Sequence, residues 1–207
     1  IMAVFGVPLP HDDDPDRGVR AAIDMQRALR HWSPVGPDGV AFPLQIGVGL
    51  NTDTVVAGNI GSKKRMDYTI IGDGVNLAAR LESACKQYGA GILLSEFTVK
   101  RLRGAYRLRA LDKVIVKGKT APVTIYECLD HLDEENAPHT LDMLGLFADG
   151  LRRYRERDFE KARERFLDSL RLRPQDVPSA MYLERCDLLI DEPPPDEWDG
   201  VWVMTEK

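Results

Sequence analysis

Nowhere in this chain does an apolar run approach the ~20 residues that a membrane-spanning helix requires, and no secretion signal opens it. Cysteine is nearly missing. Cys85, Cys128 and Cys186 are odd in number, far apart and without metal-ligand spacing. This excludes a disulfide scaffold and implies a reduced, cytosolic setting. Excess positive charge is missing too: the net charge is −5, so no basic surface argues for nucleic acid. What remains is a chain of 207 residues with 43% hydrophobic content, enough for one full domain and a smaller one. It opens on Ile1 in the middle of an apolar run, which reads as a fragment; a membrane anchor upstream of Ile1 is left open.

The stretch that organises the chain is 59–80, NIGSKKRMDYTIIGDGVNLAAR. Tyr68 to Ile71 alternates as a strand would. Gly72-Asp73-Gly74 breaks it, and a helix follows with Asp73 as its expected N-cap. Asn76 and Arg80 sit four apart on that helix and share a face, which continues through Ser83 and Gln87. Leu77, Leu81, Ala84 and Tyr88 form the neighbouring apolar stripe. An amide and a guanidinium near a helix N-terminus suit a sugar and a phosphate. On spacing alone, an ordinary solvated helix face is the simpler account of the same residues.

Taken in order, Ile1 to Phe5 reads as a buried strand closed by Gly6. Residues 16–32 read as an amphipathic helix with Val19, Ala22, Ile23, Leu29 and Trp32 on its apolar stripe. Strands are expected at Leu44 to Leu50 and Thr54 to Ile60, with a turn at Asn51-Thr52-Asp53 between them. Lys63, Lys64 and Arg65 make a basic loop, by default solvated. After the central helix come a strand at Gly89 to Leu94 and a short helix, Glu96 to Leu102, capped by Ser95. Two antiparallel strands follow, Tyr106 to Lys117 and Val123 to Cys128. This pattern predicts an α+β fold, an antiparallel sheet with helices packed on it.

Residues 131–139 read as a linker, and three helices are expected at about 140–156, 159–172 and 178–190. Gly150, Ala162, Phe166 and Pro174 resemble a single tetratricopeptide repeat, although Tyr154 falls one position late for it. One such repeat cannot bury its own face, so it must pack on the preceding domain, on a protein partner or on a second copy. The tail, 191–207, is acidic and Pro-rich and is expected to dock Trp198 and Trp202 locally.

The stretch around Asn76 resembles the class III adenylate and guanylate cyclase domain. That family carries Val-Asn-x-Ala-x-Arg on a helix after a strand ending in Tyr-Thr or Tyr-Asp, matched by Val75-Asn76-Leu77-Ala78-Ala79-Arg80 after Tyr68-Thr69. Met2-Ala3-Val4-Phe5-Gly6-Val7-Pro8, Gly58-Asn59-Ile60-Gly61-Ser62 and Val116-Lys117-Gly118-Lys119 match further blocks in the family's order. The resemblance covers roughly residues 1–130 and implies a ferredoxin-like core that is incomplete at its N-terminus.

It also implies an activity: the ribose 3′-hydroxyl of a nucleoside triphosphate attacks the α-phosphate and pyrophosphate leaves, assisted by Mg²⁺ or Mn²⁺. By the match, Asn76 orients the ribose and Arg80 stabilises charge on the α-phosphate. Lys117 holds the terminal phosphates, with Lys119 the competing candidate. Thr69 stands where the family reads the base. A strand threonine is ordinarily just a β-former, but here it resembles the mostly bacterial cyclases that accept the adenine amino group through threonine. The metal-binding aspartates and the base-reading lysine belong upstream of Ile1, so no metal ligand is expected in this chain. In the family the two halves of each site come from different subunits, which implies a head-to-tail homodimer acting on ATP. The rival reading is a catalytically inactive cyclase-like module for dimerisation and scaffolding.

Overall fold

The computed structural model of the chain describes residues 1–62, 65–115 and 122–200. They form two compact units, one of residues 1–108 with 125–131, the other of 109–124 with the residues from 132 on. The first unit opens on helix α1 (Asp14–Arg30), whose first turn carries Asp14 and Asp16 and whose last turn carries Arg27 and Arg30. Both ends therefore complement the helix dipole. Val19, Ala22 and Ile23 are buried against Ile92, Leu94 and Cys128, as the periodicity predicts, while Trp32 stays half exposed beyond the helix end.

Asp16 is buried in the first turn of α1. Its carboxylate accepts from the amides of Arg103 (3.1 Å) and Gly104 (2.8 Å) and from the Tyr106 hydroxyl (2.9 Å). Burial alone would raise its pKa; these bonds overcome that and hold it below the usual carboxylate range. Burial and the same carboxylate push the Tyr106 hydroxyl up to about 12.

The strands are β1 (Val48–Leu50), β2 (Val56–Ser62), β3 (Arg65–Ile71), β4 (Ile92–Ser95), β5 (Leu108–Ile115) and β6 (Pro122–Cys128). Helix α2 (Asp73–Tyr88) precedes β4 and helix α3 (Glu96–Val99) follows it. One sheet has the order β1-β4-β6-β5, and β2 and β3 form a separate two-stranded ribbon. The four-stranded sheet is mixed rather than wholly antiparallel. β1 and β4 pair in parallel, Val48 opposite Ile92, because the ribbon and α2 form a crossover between them; β4 and β6 are antiparallel.

Three local expectations are corrected. Ile1 to Phe5 is neither strand nor buried: its residues are exposed, because no described strand offers their backbone a ladder. The strand expected from Leu44 begins only at Val48, where the β4 partner begins. Asp73 is the first helical residue of α2 and makes no side-chain cap; Gly72 holds the cap position. Ser95 does cap α3, accepting from the Thr98 amide, although that helix stops at Val99.

In the second unit, α4 (Thr140–Arg155) and α5 (Phe159–Leu172) form a hairpin, and α6 (Val177–Asp191) packs beside α5. Gly150 makes the close approach possible: a Cβ there would lie 2.9 Å from the Phe166 ring. Phe147, Phe166 and Tyr182 meet at centroid distances of 5.1 to 5.8 Å. Trp198 of the tail docks on Tyr154 and Phe159, held by Arg157, which donates to the carbonyls of Pro194, Pro195 and Asp196. Trp202 lies outside the described residues.

The helices are also fastened to β5. Arg109 donates to both Asp176 oxygens (2.9 and 2.8 Å). The Tyr182 hydroxyl donates to the Leu111 carbonyl (2.7 Å), and Arg185 donates to Asp112 (2.8 Å). All four charged residues are at most 5% exposed. Asp176 additionally caps α6 through the Ser179 amide.

Two outcomes follow from these contacts. A segment of residues 140–190 alone takes Arg109 from Asp176 and Asp112 from Arg185 and should show no cooperative thermal melt by circular dichroism, since a broken buried pair costs about 3–5 kcal/mol; a sharp melt at ordinary temperature would refute the dependence on β5. In the first unit, burial foremost, with the Arg30 cation, pushes the His131 imidazole down to about 4. The unfolded chain then binds a proton near pH 6.5 that the native state refuses until about pH 4. Stability should therefore fall as the pH drops through that window, by on the order of 2 kcal/mol at pH 5 relative to pH 7.5. Guanidinium titrations at the two pH values, with His131→Gln flattening the difference, provide the check; an equal loss in the variant would assign it elsewhere.

Candidate active site

Helix α2 carries the two residues singled out by spacing. Leu77, Leu81, Cys85 and Tyr88 are buried at 1 to 3% exposure, so this face fixes the helix. Asn76 and Arg80 lie on the other face, one turn apart and exposed, followed by exposed Ser83 and Gln87. The stripe is shifted slightly from its predicted course: Cys85 is buried where Ala84 is only partly so. Burial pushes the Cys85 thiol up to about 11, so it stays protonated and acts as core. Cys128 and Cys186 are likewise buried, free thiols.

Two glycines let α2 lie directly on β1. A Cβ at Gly49 would fall 2.2 Å from the Glu82 amide nitrogen and 2.3 Å from the Ala78 carbonyl oxygen. Backbone cannot yield at such distances, so only glycine allows this approach. Gly47, just before the strand, faces Cys85 in the same way. These contacts fix the turn of α2 that follows Asn76 and contains Ala78 and Arg80.

The helix start is held by the turn after β1. Asn51 donates its side-chain amide to the Gly74 carbonyl (3.0 Å) and accepts from the Ser95 hydroxyl (2.6 Å). Thr52 bonds Thr98. Gly74 leaves room for Asp53, whose Cβ would otherwise stand 2.5 Å from a side chain there. Asn51 is the positioning residue that sequence reasoning missed: it was read only as a turn former, and its partners lie 23 and 44 residues away.

Thr69 sits on β3, half-buried and opposite Gly58, four residues before α2 begins. The ribbon and α2 thus carry Thr69, Asn76 and Arg80 on one continuous strand-turn-helix. Lys117 and Lys119, and Lys63 and Lys64 of the basic loop, lie outside the described residues. Among the described residues no group of three His, Cys, Asp or Glu side chains is placed to hold a metal ion, and no helix is long and apolar enough to cross a membrane.

Residues 1–129 match the family model described as the adenylate and guanylate cyclase catalytic domain. The terminal-differentiation specific adenylate cyclase of Dictyostelium discoideum is 34% identical over 193 residues, 90% of this chain and 9% of that protein. That alignment is longer than the family match and so extends into the helical segment. The adenylate cyclase of Anabaena cylindrica is 39% identical over 135 residues, 61% of this chain and 26% of the relative. The chain therefore spans about a quarter or less of the length of these relatives. Among solved structures, the guanylyl cyclase Cya2 superposes with a TM-score of 0.51 at 36% identity, over 60% of this chain and 62% of that one. The match over residues 1–129 places the chain in the adenylate and guanylate cyclase catalytic domain family.

Proposed function

We propose that the chain supplies the ribose-, base- and phosphate-reading half of an adenylate cyclase, which converts ATP to 3′,5′-cyclic AMP and pyrophosphate. The observation that carries this reading is α2: a helix fixed by its buried face that presents Asn76 and Arg80 together on its exposed one. Asn76 holds the ribose so that its 3′-hydroxyl faces the α-phosphate. Arg80 stabilises the negative charge that develops there, a task for which a planar, permanently charged guanidinium is suited. Thr69 accepts from the adenine amino group. Lys117, with Lys119 as its competitor, neutralises the terminal phosphates.

The resemblance implies Mg²⁺ or Mn²⁺, but the described residues do not fit such an ion by themselves. The reading therefore leaves the metal to the opposite half-site, and a head-to-tail homodimer completes each site. The helical segment reads as a tetratricopeptide-like repeat: Ala162 and Phe166 are fully buried and Gly150 lies against the Phe166 ring.

The test mixes this chain with the same catalytic domain extended to its metal-binding aspartates and carrying Arg80→Ala. Neither alone should make product, and the mixture should form cyclic AMP from one restored site. ATP should be preferred over GTP by about tenfold or more, since guanine offers Thr69 an acceptor oxygen instead of an amino group and a mismatched polar pair in a closed site is costly. The chain carrying Arg80→Ala should rescue nothing. Rescue that survives that substitution would overturn the half-site assignment, equal cyclic GMP formation would overturn the role of Thr69, and no product from any mixture would favour an inactive scaffold.

A further inference from the structure

The turn between α4 and α5 carries a residue that its backbone does not favour. Arg157 stands there with φ at 64°, the left-handed conformation in which helix ends ordinarily place glycine. The turn is closed in the usual way: the Arg157 amide donates to the Tyr154 carbonyl (3.1 Å) and the Asp158 amide to the Arg153 carbonyl (3.0 Å). Glycine would make both bonds without strain. What arginine adds is a guanidinium, and it donates to the backbone of the tail. One nitrogen reaches the Pro194 carbonyl at 2.6 Å; the other reaches those of Pro195 at 2.7 Å and Asp196 at 3.2 Å. Three successive carbonyls on one planar donor set are recognition of a peptide backbone.

The segment held there has the matching chemistry. Proline has no N–H, so Pro193 to Pro195 offer only carbonyls, and a proline run loses little freedom when it is held. A turn then brings an aromatic ring back to the surface, with the Trp198 amide donating to the Pro195 carbonyl (3.1 Å). Trp198 meets Tyr154 and Phe159 edge-on at centroid distances of 5.3 and 5.6 Å. The rest of this stretch faces water: Pro193, Pro195, Asp196 and Glu197 are exposed. The Asp196 carboxylate stands 4.0 Å from Arg157 and is fully exposed, so the positions between proline and tryptophan do not define the ligand. Meanwhile Phe147, Phe166 and Tyr182 close the helical core with rings of α4, α5 and α6 alone. The tail therefore lies on a finished surface, held by one guanidinium and one ring. Contacts of that extent hold a tethered segment, because the covalent link supplies its effective concentration, and they yield to a second ligand of the same chemistry.

We propose that the α4–α5 turn is a docking site for a proline-rich segment of a partner protein, of the form Pro-Pro-x-x-Trp, and that the chain's own tail occupies it until such a segment displaces the tail. Arg157 reads the carbonyls, and Tyr154 and Phe159 receive the ring.

The experiment adds a fluorescein-labelled peptide spanning residues 192–200 to the full chain and follows its anisotropy, with the fold of each variant checked by circular dichroism. The peptide should bind the Trp198→Ala chain about tenfold or more tighter than the unsubstituted chain, whose tail competes for the seat. Adding Arg157→Gly to Trp198→Ala should remove that binding while the thermal midpoint does not fall, because glycine suits the left-handed turn; a purely structural arginine would give the opposite pair of results. A peptide with alanine in place of its tryptophan should not bind. If Trp198→Ala does not fold, Trp198→Leu takes its place, keeping an apolar cover without the aromatic ring. Equal binding to the unsubstituted and Trp198 variants, binding to neither, or binding that survives Arg157→Gly would overturn the proposal. A dimer of the unsubstituted chain in sedimentation that Trp198→Ala abolishes would give the seat to a second copy's tail and overturn the assignment to a partner protein.

Discussion

The arrangement of the second unit depends on four charges that have almost no access to water. Arg109 and Asp112 on β5 and Asp176 and Arg185 around α6 are each at most 5% exposed. Removing such groups from water costs several kcal/mol per ion, and only close, well-oriented partners offset it. Each has one: Arg109 spans both oxygens of Asp176, and Arg185 reaches Asp112 at 2.8 Å. The aromatic rings then fill the space that remains, with Phe166 and Tyr182 stacked at 19° between planes. Asp176 links the two levels, since one of its oxygens accepts from Arg109 and from the Ser179 amide and hydroxyl. A single carboxylate therefore starts α6 and anchors it.

The first unit solves a different problem with different means. Its candidate site must stay open to solvent while the helix that bears it stays still. Asn76 and Arg80 lie on the exposed face of α2. The work falls to Leu77, Leu81 and Cys85 underneath, to Gly47 and Gly49 on the strand, and to Asn51 at the helix start. Glycine in a strand is ordinarily a loss, since it gives up backbone entropy and packs nothing. Here the loss is offset by backbone-to-backbone contact that no side chain would permit. Rigid support under an exposed polar face is what the proposed role, orienting a sugar and a phosphate, requires.

Much of this was legible in the sequence because it is periodic. The three C-terminal helices fall within two residues of their expected bounds, since apolar residues at helical spacing encode both the face and the length. Asn76 and Arg80 on one face follow from the same period. Ser95 announced a cap that exists. Apart from Asp73, the misses share a physical cause: each depends on a partner distant in sequence. Ile1 to Phe5 has the composition of a strand but no ladder to join. Asp73 has the right side chain for a cap, yet the chain already turns into the helix at Gly72, so Asp73 adds its charge to the first turn instead.

The buried charges were least legible of all, and the reason is instructive. In the strand, Arg109 and Asp112 interrupt the apolar pattern; in the helical third, Asp176 and Arg185 belong to an alternation of acids and arginines of the kind that solvated helix faces carry. Most of that alternation is indeed solvated: Arg152 pairs with Asp149 and Glu156 on an exposed surface, where such pairs add little. Nothing in composition separates the surface pairs from the buried ones. Only geometry does, because complementarity between a strand and a helix 67 and 73 residues apart has no local signature. The same separation makes these pairs informative once seen. Buried charges cannot drift to new partners as surface charges can, so they commit β5 and α6 to a single register. That commitment joins the helical segment to a strand inside the cyclase family match.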